Sequence, residues 1–248
     1  AGWNQKWRTG LRDALNNLGD KVDSIFNKEV DRIFSGTLDS HELLKKAGTV
    51  FCGKVEMKKF IEELQVNYGF SDQDKTQLSH LLTGMKYKHF SFTSCGWFFN
   101  EISGIEPRQD IKYAIHAITL FQQFTREELM IPFLNDLKKA KSNIREMGDG
   151  MLIAQEEIKG LDGDVEAAVY FYMNTSMATP ENWKRRYGTF YLKNISTEDG
   201  KEVQTTVSDT STDEEFSFRI LPALTIDKGI NLYVTKIKES GLKPEIYH

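Results

Sequence analysis

The stretch TSCGWFFNEISG, residues 93–104, gathers several chemically capable side chains. Cys95 is a nucleophile by type, Trp97, Phe98 and Phe99 offer aromatic faces, and Asn100 and Glu101 offer hydrogen-bonding groups. A cysteine nucleophile needs a general base, and His89, six residues earlier, and His116, further on, are the histidines that could pair with it. Such pairs are set by folding rather than by spacing, and neither local cysteine-protease signature is present. Free cysteine is among the most buried residue types, so a buried, inert Cys95 is expected. If residues 93–102 form a helix, Cys95, Phe98, Phe99 and Ile102 share one broad face that enters the core. Ser94, Trp97 and Glu101 then follow at steps of three and four on an adjoining face, with Asn100 between. An indole beside amide and carboxylate groups suits a sugar, whose C–H faces stack on rings while its hydroxyls need donors and acceptors. The alternative is a Trp97 packed in the bundle with its N–H satisfied. Spacing leaves both open.

Other site chemistries find less support. The five histidines (His41, His80, His89, His116 and His248) are scattered, with no HExxH or CxxC arrangement, so no metal or other cofactor is expected. Neither GxxxxGK[ST] nor GxGxxG occurs. Lys138, Lys139, Lys141 and Arg145 read as a solvated face near a helix C-terminus. Lys184-Arg185-Arg186 could meet an anion, but the simpler reading is again a solvated face. The 36 acidic residues offer many carboxylate pairs, and sequence does not show which two stand ~5 to 9.5 Å apart, as glycoside hydrolysis requires.

Composition narrows the class. The chain has 248 residues, 40% hydrophobic and 12% aromatic, enough for a core in one large or two modest domains. A formal charge of −4 argues against a general nucleic-acid binder. No apolar run reaches the roughly 18 residues a membrane span needs, so no membrane partner is expected. Two cysteines make no disulfide framework, and a reduced, cytoplasmic setting is expected. The absence of an initiating methionine at Ala1 and the abrupt close at Ile246-Tyr247-His248 suggest a piece of a longer chain.

The elements that must position these residues are legible from periodicity. Trp7, Leu11, Leu15, Leu18, Val22 and Phe26 form the apolar stripe of a long helix. Asp39 and Ser71 read as caps of later helices, with Gly48 ending the first of these. Phe60, Ile61 and Leu64 mark one face of a run from Val55 to Val66. Pro107 opens a helix carrying Ile111, Ala114, Ile115, Ile118 and Phe121, and Thr125 to Glu128 read as a capping box. Pro132, in that helix's second turn, predicts an irregular start or a kink. Val165 to Met173 is ambiguous between helix and strand. After Pro180 the runs Tyr187–Ile195, Glu202–Ser208, Glu215–Leu221 and Ile230–Ile237 are rich in β-formers, separated by turns at Glu198-Asp199-Gly200, Thr210 to Asp213 and Asp227-Lys228-Gly229. In Glu215–Leu221, Phe216, Phe218 and Ile220 alternate with Glu215, Ser217 and Arg219, as a half-buried strand should. The expected fold is α+β: an N-terminal helical bundle, residues 1–180, then a small antiparallel β-sheet of about four strands, residues 181–248, packed on the bundle.

The segment TSCGWFFNEISGIEPRQDIKYAIHAITL resembles the signature stretch of a domain of unknown function found in proteins of glycoside hydrolase family 57, relatives of α-amylases and α-mannosidases. WNQKWRTGLRDALNNLGDKVDSIF and AAVYFYMNTS resemble its opening helix and its later part. The resemblance implies a domain C-terminal to a catalytic barrel of the same polypeptide. That parent would act on an α-glucan-like polysaccharide by a retaining two-carboxylate mechanism. Both catalytic acids would belong to the barrel, so no catalytic residue is expected here. The region would support the barrel and supply one wall of its carbohydrate cleft. Trp97 matches the motif tryptophan, whereas Asn100 stands where an acid is often expected. Ser94, Trp97, Asn100 and Glu101 are therefore the expected substrate-binding residues. The rival reading is a scaffold or protein-interaction helical module with no sugar contact.

Overall fold

The computed structural model describes residues 3–159, 163–177, 179–198, 202–210, 212, 214–225 and 229–237. Within them lie eight α-helices followed by a five-stranded antiparallel sheet, the expected α+β order. By contacts the chain divides into two compact units, residues 1–161 and 162–248.

The first unit is built on α1 (Trp7–Phe34), whose buried residues Trp7, Leu11, Leu15, Leu18, Val22 and Phe26 are the stripe read from sequence. Gly10 is required on that stripe. A Cβ there would stand 2.7 Å from the Ala140 backbone nitrogen, so the missing side chain lets α1 touch the turn after α6. Helix α2 (Ser40–Phe51) is capped by Asp39, which accepts from the Glu42 backbone, and it continues through Gly48 to Phe51 rather than ending at the glycine. Helix α3 (Met57–Tyr68) buries Phe60, Ile61 and Leu64. Ser71 and Asp74 form a reciprocal capping box on α4 (Asp72–Phe90).

Helix α5 (Ile105–Phe121) lies against α4, and Gly84 of α4 makes room for Phe121, whose ring would stand 2.5 Å from a Cβ there. Helix α6 (Met130–Leu137) begins later than the Thr125 signal suggests. Thr125 Oγ1 accepts from Glu127 N in a local turn, and Pro132 falls in the helix's first turn, where its missing N–H leaves no bond unmade. Helix α7 (Gly150–Lys159) completes the bundle, and Asp149 accepts from the backbones of Met151 and Leu152 at its start.

In the second unit the ambiguous Val165–Met173 segment lies within helix α8 (Gly163–Met177). Ala167, Ala168 and Phe171 of α8 share a core with Leu192, Val207, Phe218, Ile220 and Val234 of the sheet. The compact units therefore part after Leu161 and not at 180/181, because α8 buries its apolar face on the strands.

The strands are β1 (Arg186–Tyr187), β2 (Phe190–Glu198), β3 (Glu202–Asp209), β4 (Glu214–Thr225) and β5 (Gly229–Ile237), paired in sequence order as a meander. The expected four become five because Tyr187 pairs back on Phe190 through a tight turn, with Gly188 at φ 58°. Alternation in β4 is as read: Phe218 and Ile220 are buried and Arg219 is exposed. The turns expected at Glu198-Asp199-Gly200 and Asp227-Lys228-Gly229 fall largely outside the described residues, as do residues 211 and 213 of the Thr210 to Asp213 turn.

Gly10→Ala should destabilise the first unit by about 1–3 kcal/mol, the usual result of forcing atoms into a packed contact. Chemical denaturation monitored at the α1 tryptophan, Trp7, reads it directly.

Candidate functional site

Residues 93–104 do not form the expected helix. A short 3-10 turn, Ser94–Trp97, is followed by irregular chain until α5 begins. The cause is tertiary. Gly96 lies against the carboxyl of Asp110 on α5, close enough that a Cβ on it would collide with Oδ2. The carbonyls of Phe98 and Phe99, which a helix would direct to its next turn, both accept from Arg8 of α1, at 3.2 and 3.0 Å.

This path redistributes the side chains. Phe98 and Phe99, expected in the core, are 78% and 46% exposed and meet edge to face with centroids 5.3 Å apart. Cys95, expected to be buried, is exposed. Ile102 enters the core as expected. Ser94 is exposed. Trp97 is half-buried against the bundle core, and the Arg12 guanidinium lies over its ring, 4.0 Å from the centroid. Its Nε1 is buried without a hydrogen-bond partner, so the satisfied indole N–H of the packed alternative is absent.

Glu101, expected on a face beside Trp97, is instead buried and turned inward. Its Oε1 accepts from Ser103 N and Ser142 Oγ, and its Oε2 accepts from Asn143 N at 2.8 Å. Asn100 stays on the surface, where its side-chain oxygen accepts from Gln5 Nε2 at 2.8 Å. Asn143 ties three segments together. Its Nδ2 donates to the carbonyls of Asn4 and Asn100, and its Oδ1 accepts from the backbone and side-chain nitrogens of Asn4. The structure therefore joins Asn100 and Glu101 through Asn143, and it sets Trp97 under Arg12.

Asp110 was not singled out in the sequence, although a carboxylate among Pro107, Ile111 and Ala114 on a buried face was the available signal. The side chain is fully buried. Thr93 Oγ1 donates to Oδ1 at 2.6 Å, and Oδ2 has no partner. Burial raises its pKa from the ordinary carboxylate value to about 7, opposed by the Thr93 hydrogen bond and the charge of Arg12. Arg8, Arg12, Asn4 and Asn143 also carried no local signal, since each acts on residues far away in sequence.

Among the described residues no group of three or more His, Cys, Asp or Glu side chains could hold a metal ion, and no helix is long and apolar enough to cross a membrane. Two grooves of about 350 Å³ lie elsewhere in the first unit. One lies between α1 and α6 and includes Leu18 and Phe133; the other is a polar one lined by Arg32, Gln77 and Gln123. Lys139 and Lys141 of the basic cluster are paired with Asp136 and Asp149.

Residues 3–213 match the family model described as Domain of unknown function (DUF3536). The chain belongs to this family. The match runs through the loop of residues 93–104 and across both compact units, as far as the start of β4. No curated protein and no solved structure matches the chain.

Two outcomes follow for the buried carboxylates. Glu101→Ala leaves the donors on Ser103, Ser142 and Asn143 without their charged acceptor, and should cost about 3 kcal/mol or more in denaturant unfolding. Asp110 behaves differently. Its folded pKa lies above its unfolded value, so the folded chain holds the extra proton between about pH 4 and about pH 7, and stability falls as pH rises through that window. Asp110→Asn should therefore be more stable than the parent at about pH 8, with the difference vanishing near about pH 4. Unfolding curves at both ends of the range check the sign.

Proposed function

We propose that this chain is a non-catalytic C-terminal region of a family-57-like glycoside hydrolase. In this reading it packs against the catalytic barrel of the same polypeptide and forms one wall of that barrel's carbohydrate cleft. The observation that carries it is the exposed Phe98–Phe99 pair, held on a loop whose backbone is fastened by Arg8, Asn143 and Glu101. Two large rings displayed to solvent at fixed orientation suit stacking on the C–H faces of a sugar. The side chain of Asn100 and the hydroxyl of Ser94, both exposed on the same loop, offer partners for sugar hydroxyls. Trp97 supports the loop from beneath, with one face already covered by Arg12. Glu101 fixes the loop rather than meeting the ligand, because both its oxygens accept from protein donors.

On this reading the substrate is an α-glucan-like polysaccharide and the parent is cytoplasmic. The nucleophilic Glu and the acid/base Asp of a retaining mechanism belong to the barrel. A scaffold without sugar contact is the competing reading, favoured by the exposure of Trp3 and Ile105 alongside the two phenylalanines.

The two separate on the full-length polypeptide. Replacing Phe98 and Phe99 together by alanine should weaken binding of a linear α-glucan oligosaccharide about tenfold, or ~1.4 kcal/mol. Folding stability should stay within about 0.5 kcal/mol, since both rings are exposed. If oligosaccharide affinity and turnover are unchanged while the barrel detaches more readily, the scaffold reading holds instead.

A further inference from the structure

Asp110 is a buried carboxyl with one unpartnered oxygen, and its position beneath the loop gives it a task. It is a wholly buried carboxyl with one oxygen held by Thr93 at the loop's start and the other pressed on Gly96, directly before Trp97. We propose that Asp110 is a protonation latch that positions the aromatic loop. With the carboxyl neutral, Thr93 and Gly96 close over it and Arg12 stays on Trp97. Once ionised, it draws Arg12 off the indole toward Oδ2 and loosens residues 93–97.

The physical basis is the cost of burying a charge. A neutral carboxyl tolerates one unpaired oxygen in an apolar contact, whereas a carboxylate there demands a second donor or cation. Neither Gly96, whose N–H donates to the Thr93 carbonyl, nor the already committed Thr93 hydroxyl supplies one. Arg12 is the charge whose field reaches Asp110, and it is already within the same contact layer, on the Trp97 ring. Among the nearby titratable and charged groups, Arg8 of α1 donates to the Phe98 and Phe99 carbonyls, and His89 of α4 has its Nδ1 on the Met85 carbonyl. Lys88 of α4 is paired with Asp23, and Glu156 and Glu157 of α7 are paired with Arg108 of α5 itself. The ionisation step releases one proton to solvent and makes or breaks no other covalent bond. Because burial holds the proton up to about pH 7, the latch works within the range a cytoplasmic protein meets.

This inference rests on the proposed role of the loop in ligand contact only for its consequence, not for its detection. Hydrogen exchange of the backbone amides of Gly96 and Phe98, which donate to the Thr93 and Cys95 carbonyls, reads the latch directly in the whole chain once corrected for the intrinsic pH dependence. In the parent, protection should fall about tenfold per pH unit between about pH 4 and about pH 7 and then level off, because the open loop binds one proton fewer. Asp110→Asn should remove this slope. Arg12→Gln, which removes the opposing charge, should move the upper end of the slope to higher pH. A flat profile in the parent, or the same slope in Asp110→Asn, overturns the latch, and the parent profile alone decides it if the variants do not fold. The pH dependence of oligosaccharide affinity in the full-length polypeptide is the second arm. A sloping exchange profile with no oligosaccharide binding at any pH keeps the latch and overturns the carbohydrate reading.

Discussion

A carboxylate taken out of water must find donors for its oxygens, and the loop of residues 93–104 is shaped by two such groups. Glu101 finds three donors on two segments, and in doing so binds the loop before α5 to the turn after α6. Asp110 finds one, from Thr93, and its second oxygen is covered by Gly96. Together they fix where the loop leaves α4 and where it enters α5. Between those two anchorages the loop displays Phe98 and Phe99.

Helix α1 completes the arrangement from the other side. Its first turns carry Arg8 and Arg12 one helical turn apart, on a face that meets the loop. Arg8 accepts the duty a helix would otherwise have performed, donating to the carbonyls of Phe98 and Phe99, and Arg12 lies on Trp97. With the backbone satisfied by a side chain instead of by a helical ladder, two phenylalanines can be exposed without the loop losing its form. Exposed aromatic rings on a fixed backbone lose little conformational entropy when something stacks on them, which is the property a binding wall needs.

The second unit shows a plainer balance. Alternating residues of β2 to β4 cover α8 with Leu192, Val207, Phe218 and Ile220, while the opposite sides carry pairs such as Thr206 with Ser217 and Arg219 with Glu202. A one-residue slip in β4 would exchange Phe218 for Ser217 or Arg219 in that core, so burial specifies the register Thr205↔Phe218.

Elements whose residues repeat with one period can be read from the chain before it folds. The α1 stripe, the caps at Asp39 and Ser71, the α5 face from Ile111 to Phe121 and the alternation of β4 were legible because each is a local pattern facing one core. Val165–Met173 was not, since apolar and aromatic residues surround much of α8, and contact with the strands decided that it is helical. The loop was misread for a related reason. WFFNEI has helical spacing, but its backbone partners come from Arg8 and Asn143, 90 and 43 residues away along the chain. Spacing carries no record of such donors, so it buried Phe98 and Phe99 and turned Glu101 outward, when tertiary structure does the reverse. Asp110 lay in plain view as a charge on an apolar face. Only the packing of Thr93, Gly96 and Arg12 around it decided that the charge is held back.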